Sequence, residues 1–414
     1  MRSRTIAAVG SVLCAVAAAS AGGGAALQPA PDRVVLQHAT IIDGLTSDIR
    51  RDMTVVIRSG RIESVSGAGS VDGGDATVID LRNRFLLPGL IDAHVHFRDL
   101  ASARAALARG VTTARSLGVD HFADIGIREL HRAGASDVPD VLAGGYHVRR
   151  RLSDAFFLDF PQHRSLMAGL AGPADVREAV RAMVTRRADV IKVMVTQRAG
   201  LTDSDFRVRT LGDDELRAAI EEATKAGLPV AAHAHTDEAA RAAALAGART
   251  IEHGTLISAE TVAVMREEGT CLAPTLTFWV DMLEPGGEYD HATLTARARE
   301  MLPVARAAVA QAFKNGVRVI AATDMRYDGA TVLRIADELA ELGRSGLSSM
   351  AVLQAATSVN AACLGIGGRT GAVKAGLEAD LIVVDGDPIA NLRAVDAPVL
   401  VVNDGRIAIN KIRP

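Results

Sequence analysis

The chain alternates short apolar runs with longer stretches of helical periodicity. The short runs are typical of β-strands, and the longer stretches are typical of amphipathic helices. The strand candidates are Leu90–His96, Thr112–Leu117, Asp140–Tyr146, Asp189–Thr196, Pro229–His235, Thr250–His253, Cys271–Leu276 and Arg318–Asp324. Helix candidates lie between them at Asp175–Arg187, Asp213–Ala226, Asp237–Ala246 and Ala296–Asn315.

Strands that alternate with helices predict a parallel sheet covered on both faces. Eight such units are what a (β/α)8 barrel requires, so the pattern favours an α/β fold with a TIM barrel over residues 87–360. A doubly wound open sheet is the alternative, because periodicity alone does not separate the two. A further helix, Ser348–Asn360, would join the barrel to the residues that follow.

Both ends of the chain have the pattern of short strands joined by turns. Asp43-Gly44 is a turn signal within residues 33–86, and Asn403-Asp404-Gly405 predicts a hairpin near the other end. We expect residues 33–86 and 361–414 to combine into one small β-sandwich domain beside the barrel.

The first 26 residues have the order of a secretory signal peptide. Arg2 and Arg4 precede an apolar run rich in small residues, and a small-residue cleavage region follows. This run is too short to span a bilayer comfortably. We therefore predict an exported protein, periplasmic or secreted, whose mature form has no membrane span.

Composition and cysteine content narrow the class of protein. The 414 residues carry a formal net charge of -3 and no basic stripe, which argues against a nucleic-acid partner and favours a small-molecule substrate. Cys14 would leave with the signal, and Cys271 and Cys363 lie far apart in apolar contexts. A domain of this size does not need a disulfide, so we expect two buried free thiols. Whether the chain forms a homo-oligomer is left open.

The strongest local signal is Pro88–His96, an apolar strand that carries two histidines. Alternate residues of a strand face the same side, so His94 and His96 project together. Two imidazoles that converge from the end of one strand can form half of a metal site. Hydrogen-bonded core histidines are the alternative, but the paired spacing favours a metal.

Lys192 interrupts the otherwise apolar strand Ala188–Val195. A buried ammonium is costly unless it is paired or chemically changed. A salt bridge is the simpler explanation. The other is a neutral lysine that takes up CO2, because the resulting carbamate has two oxygens and can bridge two metal ions.

Further polar groups end other strand candidates, where barrel enzymes build their active sites. They are His233-Ala234-His235, the run Ile251–Gly254 with its His253, and Asp324. A carboxylate at Asp324 could bind one metal and accept a proton from bound water, whose pKa a metal lowers to about 7. With the groups above, these residues fall on strands one, four, five, six and eight, a coincidence that packing alone does not explain.

These motifs together resemble the metal-dependent amidohydrolase superfamily, in its branch of imidazolonepropionase-like and Xaa-Pro dipeptidase-like proteins. The resemblance covers nearly everything after the signal and includes a C-terminal β segment, Thr370–Val383. It rests on Pro88–His96, Ile191-Lys192-Val193, His233-Ala234-His235, Ile251–Gly254 and Thr323-Asp324. It implies a hydrolase that cleaves an amide bond, such as a dipeptidase or an N-acyl-amino-acid hydrolase.

The resemblance also implies a role for each matched residue. Two divalent metal ions, expected to be zinc, would be held by His94, His96 and Asp324 at the more buried position, by His233 and His253 at the second, and by Lys192, as its CO2-derived carbamate, at both. A bridging hydroxide would attack the substrate carbonyl. Asp324 would take the proton and pass it to the leaving amine.

The strand-five ligand is open between His233 and His235. The family form favours His233, which would leave His235 nearer the mouth as a substrate contact. Counting from His235 places Glu238 at the His-x-x-Glu spacing of one-metal enzymes, so a mononuclear cyclic-amide hydrolase or deaminase is the alternative function. A non-catalytic binding protein is a further alternative, disfavoured because every expected ligand is present.

The loops that set specificity depart from the branch. Many relatives have a Gly-Gly pair soon after the strand-four lysine, where this chain has Thr196-Gln197-Arg198. After the third strand, Tyr146 and His147 could contact a substrate carboxylate or carbonyl. The run Arg149–Arg151 could select an anionic group, although a solvated loop is the simpler explanation. The substrate therefore does not transfer from the family.

Overall fold

The computed structural model describes residues 33–67, 75–287, 289–328 and 333–413. The predicted signal peptide lies outside these residues. The described chain combines a mixed β-sheet with parallel sheets and helices, which makes it an α/β fold. Within the described ranges, no helix is long and apolar enough to cross a membrane.

The elements follow one another in the alternation that the sequence pattern suggested. The described strands are β1 (Arg33–Ile42), β2 (Ile49–Arg58), β3 (Arg61–Gly67), β4 (Thr77–Asp80), β5 (Phe85–Pro88), β6 (Leu90–Val95), β7 (Val111–Ser116), β8 (Asp140–Ala143), β9 (Ile191–Met194), β10 (Val230–Thr236), β11 (Thr250–Leu256), β12 (Cys271–Ala273), β13 (Leu381–Val384), β14 (Leu400–Asn403) and β15 (Arg406–Asn410). The described helices are α1 (Leu100–Ala108), α2 (Ala123–Arg132), α3 (Asp154–Asp159), α4 (Pro173–Thr185), α5 (Asp213–Lys225), α6 (Asp237–Leu245), α7 (Ala259–Glu267), α8 (Leu276–Asp281), α9 (Ala292–Lys314), α10 (Ile335–Arg344), α11 (Ser349–Ala355) and α12 (Ser358–Leu364).

Strands from both ends of the chain share one sheet, in the order β15-β14-β13-β5-β1-β2-β3 with β4 beside β1. Strand β13 pairs antiparallel with β5, which joins the C-terminal strands to the N-terminal ones. Inward side chains such as Leu36, Ile57 and Val383 form a separate apolar core. These strands form one sheet, so the two-sheet sandwich is not confirmed.

The parallel strands form two further sheets, β6-β7-β8 and β9-β10-β11-β12. Isolated bridges connect their edges, pairing Val148 with Val193, Leu272 with Val319 and Val95 with Met325. The structure has no regular strand over the predicted Arg318–Asp324. Backbone hydrogen bonds join that segment to β12 and β6, but only isolated bridges form there, at Val319 and at the following Met325, and the positive φ of Asp324 (61°) breaks the extended geometry at its end.

Local signals explain where several helices begin and end. The Thr236 side chain accepts a hydrogen bond from the Ala239 N–H and caps α6. Gly227, with φ of 71°, follows α5 in the left-handed conformation that often ends a helix. The predicted helix Ser348–Asn360 is instead two helices, α11 and α12, because the backbone leaves helical geometry at Thr357.

Cys271, at the start of β12, and Cys363, in α12, form a disulfide with their Cα atoms 6.3 Å apart. The prediction of two free thiols is therefore wrong. The fold brings both residues into a small apolar core with Ala93, Ile320 and Ala322. Their sequence separation of 92 gave no indication of this proximity.

Candidate metal centre

The six predicted metal ligands converge on one small cavity, which we call the inner cavity. It is lined by His94, His96, His147, Lys192, Met194, Arg198, Ala199, Gly200, His233, His253, Phe278 and Asp324. The predicted ligands come from β6, β9, β10, β11 and the segment that follows α9. The volume of about 30 Å³ suits ions or a water molecule rather than an organic ligand.

His94 in β6 and His96 directly after it have their proton positions set by the acceptors behind them. His94 Nδ1 donates to Glu252 Oε2 at 2.8 Å, and His96 Nδ1 donates to the Gly118 carbonyl at 3.0 Å. In the neutral form of each ring, Nε2 then carries the lone pair. Metal-binding histidines have this arrangement, with one nitrogen on the ion and the other bonded to a carboxylate or carbonyl.

The same arrangement holds for His233 in β10 and His253 in β11. Thr275 Oγ1 donates to the Pro274 carbonyl, so it accepts from His253 Nδ1 at 2.6 Å and leaves Nε2 as the acceptor. His233 Nε2 donates to the Gln197 carbonyl at 3.1 Å and leaves Nδ1 as the acceptor. The rings of His233 and His253 have centroids 4.5 Å apart. Burial, the largest cause, holds the pKa of both rings well below its ordinary value, which favours the neutral form that binds metal.

Asp324 brings a carboxylate against these lone pairs. Its Oδ1 lies 2.8 Å from His96 Nε2 and 3.3 Å from His94 Nε2. The Asp324 oxygen and the two Nε2 lone pairs repel one another. The arrangement is therefore stable only with a cation between them or a proton on one of the rings. This donor set fits a divalent metal ion.

Backbone contacts fix Asp324 in this position. Its N–H donates to the His94 carbonyl at 2.7 Å, and its φ of 61° is uncommon for a residue with a side chain. The neighbouring Thr323 is held by Asp92, which accepts from its N–H at 3.0 Å and from its hydroxyl at 2.7 Å. His253 also has a positive φ, of 73°. Such strain at two site residues is typical of functional sites.

Lys192 lies at the centre of the cluster and is 1% exposed. Its Nζ lies 3.3 Å from His94 Nε2, and no carboxylate oxygen of the described residues lies within ion-pair distance. Burial, the largest cause, lowers the pKa of Lys192 to about 8; the charges of Glu252 and Asp324 oppose this shift, and those of Arg115 and Arg198 add to it. The simple salt bridge considered for this lysine is therefore not formed.

Behind the cluster lies a buried ion pair that sequence reasoning missed. Arg115, in β7, donates to Glu252 Oε1 at 2.8 Å, and also to Thr250 Oγ1 at 3.0 Å. Although burial opposes ionisation, Arg115 and the hydrogen bond from His94 hold the pKa of Glu252 at about 2. A signal for it was present, since Arg115 interrupts an apolar strand just as Lys192 does.

Two of the three predicted substrate contacts lie outside the cavity. His235 is fully buried and stacked on His253 at 4.5 Å, with its Nδ1 2.9 Å from Thr255 Oγ1. Tyr146 donates its hydroxyl to Asp159 Oδ2 at 2.5 Å. Neither side chain lines the cavity, but possible ligand atoms of His233, His235 and His253 lie within 4.8 Å of one another, so the strand-five ligand stays open between His233 and His235.

His147 does reach the site. It lines the inner cavity and also the larger cavity outside it, which we call the outer cavity. A Cβ on Gly118, whose φ is 100°, would lie 2.1 Å from His147 Nε2, so only glycine leaves room for the ring. The outer cavity has a volume of about 400 Å³ and is lined by His96, Arg98, Gly118, Val119, Asp120, His121, His147, Arg149, Arg198, Tyr289, Asp324 and Arg326.

Comparison with known proteins agrees with this geometry. Residues 85–408 match the sequence model of the amidohydrolase family. An uncharacterised protein of Mycobacterium tuberculosis is 31% identical over 84% of this chain and 90% of its own length. Ochratoxinase of Aspergillus niger is 26% identical over 76% of this chain and 72% of its own. A solved prolidase complexed with N-methylphosphonate-L-proline superposes with a TM-score of 0.80 and 25% identity, covering 91% of this chain and 100% of that one.

Proposed function

The chain belongs to the amidohydrolase family and is a hydrolase of carbon–nitrogen bonds, and from this premise we propose that it is a two-metal amide hydrolase acting on a dipeptide or an N-acyl amino acid. The ligands would be His94, His96 and Asp324 for one ion, His233 and His253 for the other, and Lys192 as a carbamate for both. The similarity to a solved prolidase supports a substrate of the peptide type.

One observation carries the proposal, namely the direction of the free nitrogens in the cluster. Four histidines each bond one ring nitrogen to a protein acceptor and keep the other as a lone pair beside the inner cavity. A carboxylate and a buried lysine complete the set. Histidines kept only for core packing do not need four matching hydrogen-bond arrangements around one cavity.

The environment of Lys192 supports the proposal of a second metal ion. An amine without a carboxylate partner in a buried site is a nucleophile when neutral. The lysine nitrogen forms a bond to the carbon of CO2, and one proton leaves, giving a carbamate anion. One negative charge, shared by two oxygens, then takes the place of a cation among neutral histidines and would lower the repulsion that two divalent ions meet there.

The residues around the ions have defined tasks in amide cleavage. Two divalent ions, when bound, supply a lowered pKa for water and polarise a carbonyl oxygen. Asp324 lines both cavities, so its carboxylate is placed to take a proton from the attacking water and deliver it to the leaving nitrogen. His147 also lines both, and burial, the largest cause, keeps its pKa well below the ordinary value. Its neutral ring can hydrogen-bond to the substrate.

Metal analysis and substrate screening test the proposal. We expect about two zinc equivalents per chain, a mass increase of one CO2 on the Lys192 peptide under non-acidic conditions, and hydrolysis within a panel of dipeptides and N-acyl amino acids. Lys192→Ala should lose activity, and short carboxylic acids should restore part of it by replacing the carbamate oxygens.

Other outcomes point elsewhere. One tightly bound ion with an unmodified Lys192 would support the mononuclear cyclic-amide hydrolase or deaminase instead. Full metal content without hydrolysis of any panel member would contradict the proposal.

We also propose that the protein is exported and that its two parallel sheets complete a (β/α)8 barrel. The Cys271–Cys363 disulfide supports export, because disulfides persist mainly in oxidising compartments. The bridges at the edges of both sheets support closure of the barrel. Cell fractionation with N-terminal sequencing of the mature chain tests export; an uncleaved chain in the cytoplasm would contradict it.

A further inference from the structure

The outer cavity carries a concentration of positive charge that the proposed reaction does not use. Four arginines from separate loops line it: Arg98, Arg149, Arg198 and Arg326. Asp120 and Asp324 are the only carboxylates among its lining residues, and Asp324 faces His96. The volume of about 400 Å³ is suited to a small organic ligand.

Two of these guanidinium groups form no ion pair within the described residues. Within the described part of the chain, neither Arg149 nor Arg198 makes a side-chain hydrogen bond or ion pair, although both are half-buried. Both guanidinium groups line the outer cavity, and burial and then the charge of Arg198 lower the pKa of Arg149, against the opposing charge of Asp120. Two adjacent, partly desolvated cations are unfavourable by themselves and attract an anionic ligand.

The positions of Arg198 and Arg149 indicate where the anionic groups of such a ligand would lie. Arg198 lines both cavities, so it lies nearest the reacting bond, whereas Arg149 lines the outer cavity alone. The other members of the arginine run do not take part. Arg150 pairs with Glu215 at 2.6 Å, and Arg151 is exposed to solvent. The expectation of a solvated loop therefore describes Arg151 but not Arg149.

We propose that the enzyme selects amides whose leaving amino acid is itself acidic, aspartate or glutamate, so that the substrate presents two carboxylates. This inference rests on the proposed amide hydrolase function. The α-carboxylate next to the scissile nitrogen pairs with Arg198, and one bidentate guanidinium satisfies it. A neutral leaving residue would leave Arg149 without a partner. The side-chain carboxylate of an acidic leaving residue lies farther from the scissile bond and pairs with Arg149.

N-acetyl-L-glutamate and N-acetyl-L-glutamine provide the direct test, since they have the same shape and differ by one charge. We expect kcat/KM of the metal-loaded enzyme to be about 10- to 100-fold higher for the glutamate derivative, the range for a hydrogen bond to a charged group. Arg149→Met should bring this ratio near one, mainly by lowering the glutamate value. Arg151→Met, the matched control in the same run, should keep the wild-type ratio.

Equal kcat/KM for the two derivatives, or an unchanged ratio in Arg149→Met, overturns the inference while leaving amide hydrolysis standing. Equilibrium binding of both ligands to the metal-loaded Asp324→Asn variant separates the two proposals. If wild type hydrolyses no amide but this variant binds the glutamate derivative at least about tenfold more tightly, the hydrolase proposal fails and the charge selection stands. Equal binding there counts against the selection. Melting temperatures of the arginine variants confirm that they are folded.

Discussion

Substitution of Glu252 tests what the buried Arg115–Glu252–His94 contacts contribute to stability and metal binding. Its two oxygens accept from Arg115 and from His94 Nδ1, each at 2.8 Å. The side chains of Glu252 and Arg115 are 0% and 2% exposed, so solvent cannot replace either partner. Glu252→Gln keeps the shape, removes the charge and turns one acceptor into a donor.

Both orientations of the new amide are unfavourable. If its NH2 group faces Arg115, two donors meet and the buried guanidinium loses its counter-charge. If the NH2 group faces His94, it must donate to Nδ1, and the proton moves to Nε2. That nitrogen lies 3.3 Å from Asp324 Oδ1, where the proposed metal needs a lone pair. Because the charge is lost in both orientations, stability falls in each, and the orientation that donates to His94 also lowers metal affinity.

The magnitudes follow from burial. Breaking a buried ion pair by removing one partner costs about 3–5 kcal/mol of unfolding free energy. Loss of the group that orients a metal-binding histidine lowers metal affinity about 10- to 100-fold. Urea unfolding measures the first quantity, and zinc titration of the chelator-treated protein measures the second.

Glu222→Gln is the matched control. Glu222 also pairs with an arginine, Arg181 at 2.6 Å, whose side chain is 62% exposed, and more distantly with Arg177 and Lys225, each at 3.6 Å. The same chemical change should therefore cost at most about 1 kcal/mol and leave zinc affinity unchanged. If Glu252→Gln behaved like Glu222→Gln in both assays, the assigned role of the Arg115–Glu252–His94 network would be refuted.

Three further predictions concern stability and the shape of the site. Reduction of the Cys271–Cys363 disulfide should lower the unfolding free energy by about 4.6 kcal/mol, the loop-entropy value for a separation of 92 residues; thermal melts with and without reductant measure this, and a reductant effect that persists in the double Cys→Ala variant would contradict it. Although burial opposes protonation, the hydrogen bond to Asp404 raises the pKa of His131, so this contact stabilises the fold below pH 6.5 and is lost as pH rises through the folded-state pKa. From about pH 6 to about pH 9, the unfolding free energy measured with urea should fall by up to about 1 kcal/mol in the wild type but not in His131→Gln. The same pH dependence of the unfolding free energy in both proteins would refute this prediction. Gly118→Ala should lower kcat/KM at least about tenfold, because the new Cβ enters the space of the neighbouring imidazole and the backbone φ of 100° disfavours it; wild-type kinetics would contradict this.

Much of the candidate site could be predicted from the sequence because strands impose a strict period. The alternation that puts His94 and His96 on one face needs only the residues of β6 and the one that follows it. Lys192 was found because it interrupts an apolar strand, and His253 by its place at the end of one. In a parallel sheet the carboxyl ends of the strands lie at one edge, so residues far apart in the chain meet there without any knowledge of the loops.

The same rule fails where a strand ends earlier than its apolar run. A strand was expected over Asp140–Tyr146 and Tyr146 was expected to contact substrate, but β8 ends at Ala143. Gly145 then has φ of 63°, which breaks the alternation and turns the tyrosine toward Asp159. Glycine tolerates this conformation at no steric cost, so the glycine pair before Tyr146 was a signal against extending the strand.

Which side chains meet across two strands cannot be predicted from the local sequence pattern. Arg115 and Lys192 produce the same sequence signal, a long cation inside an apolar strand, yet only Arg115 has a buried carboxylate, Glu252, within hydrogen-bond distance. The difference arises from which strand lies opposite, and hence from the assembled sheet. A lysine left without that carboxylate must be neutral, modified or paired with something the chain does not supply, and this is why its environment, more than its position in the sequence, supports a carbamate.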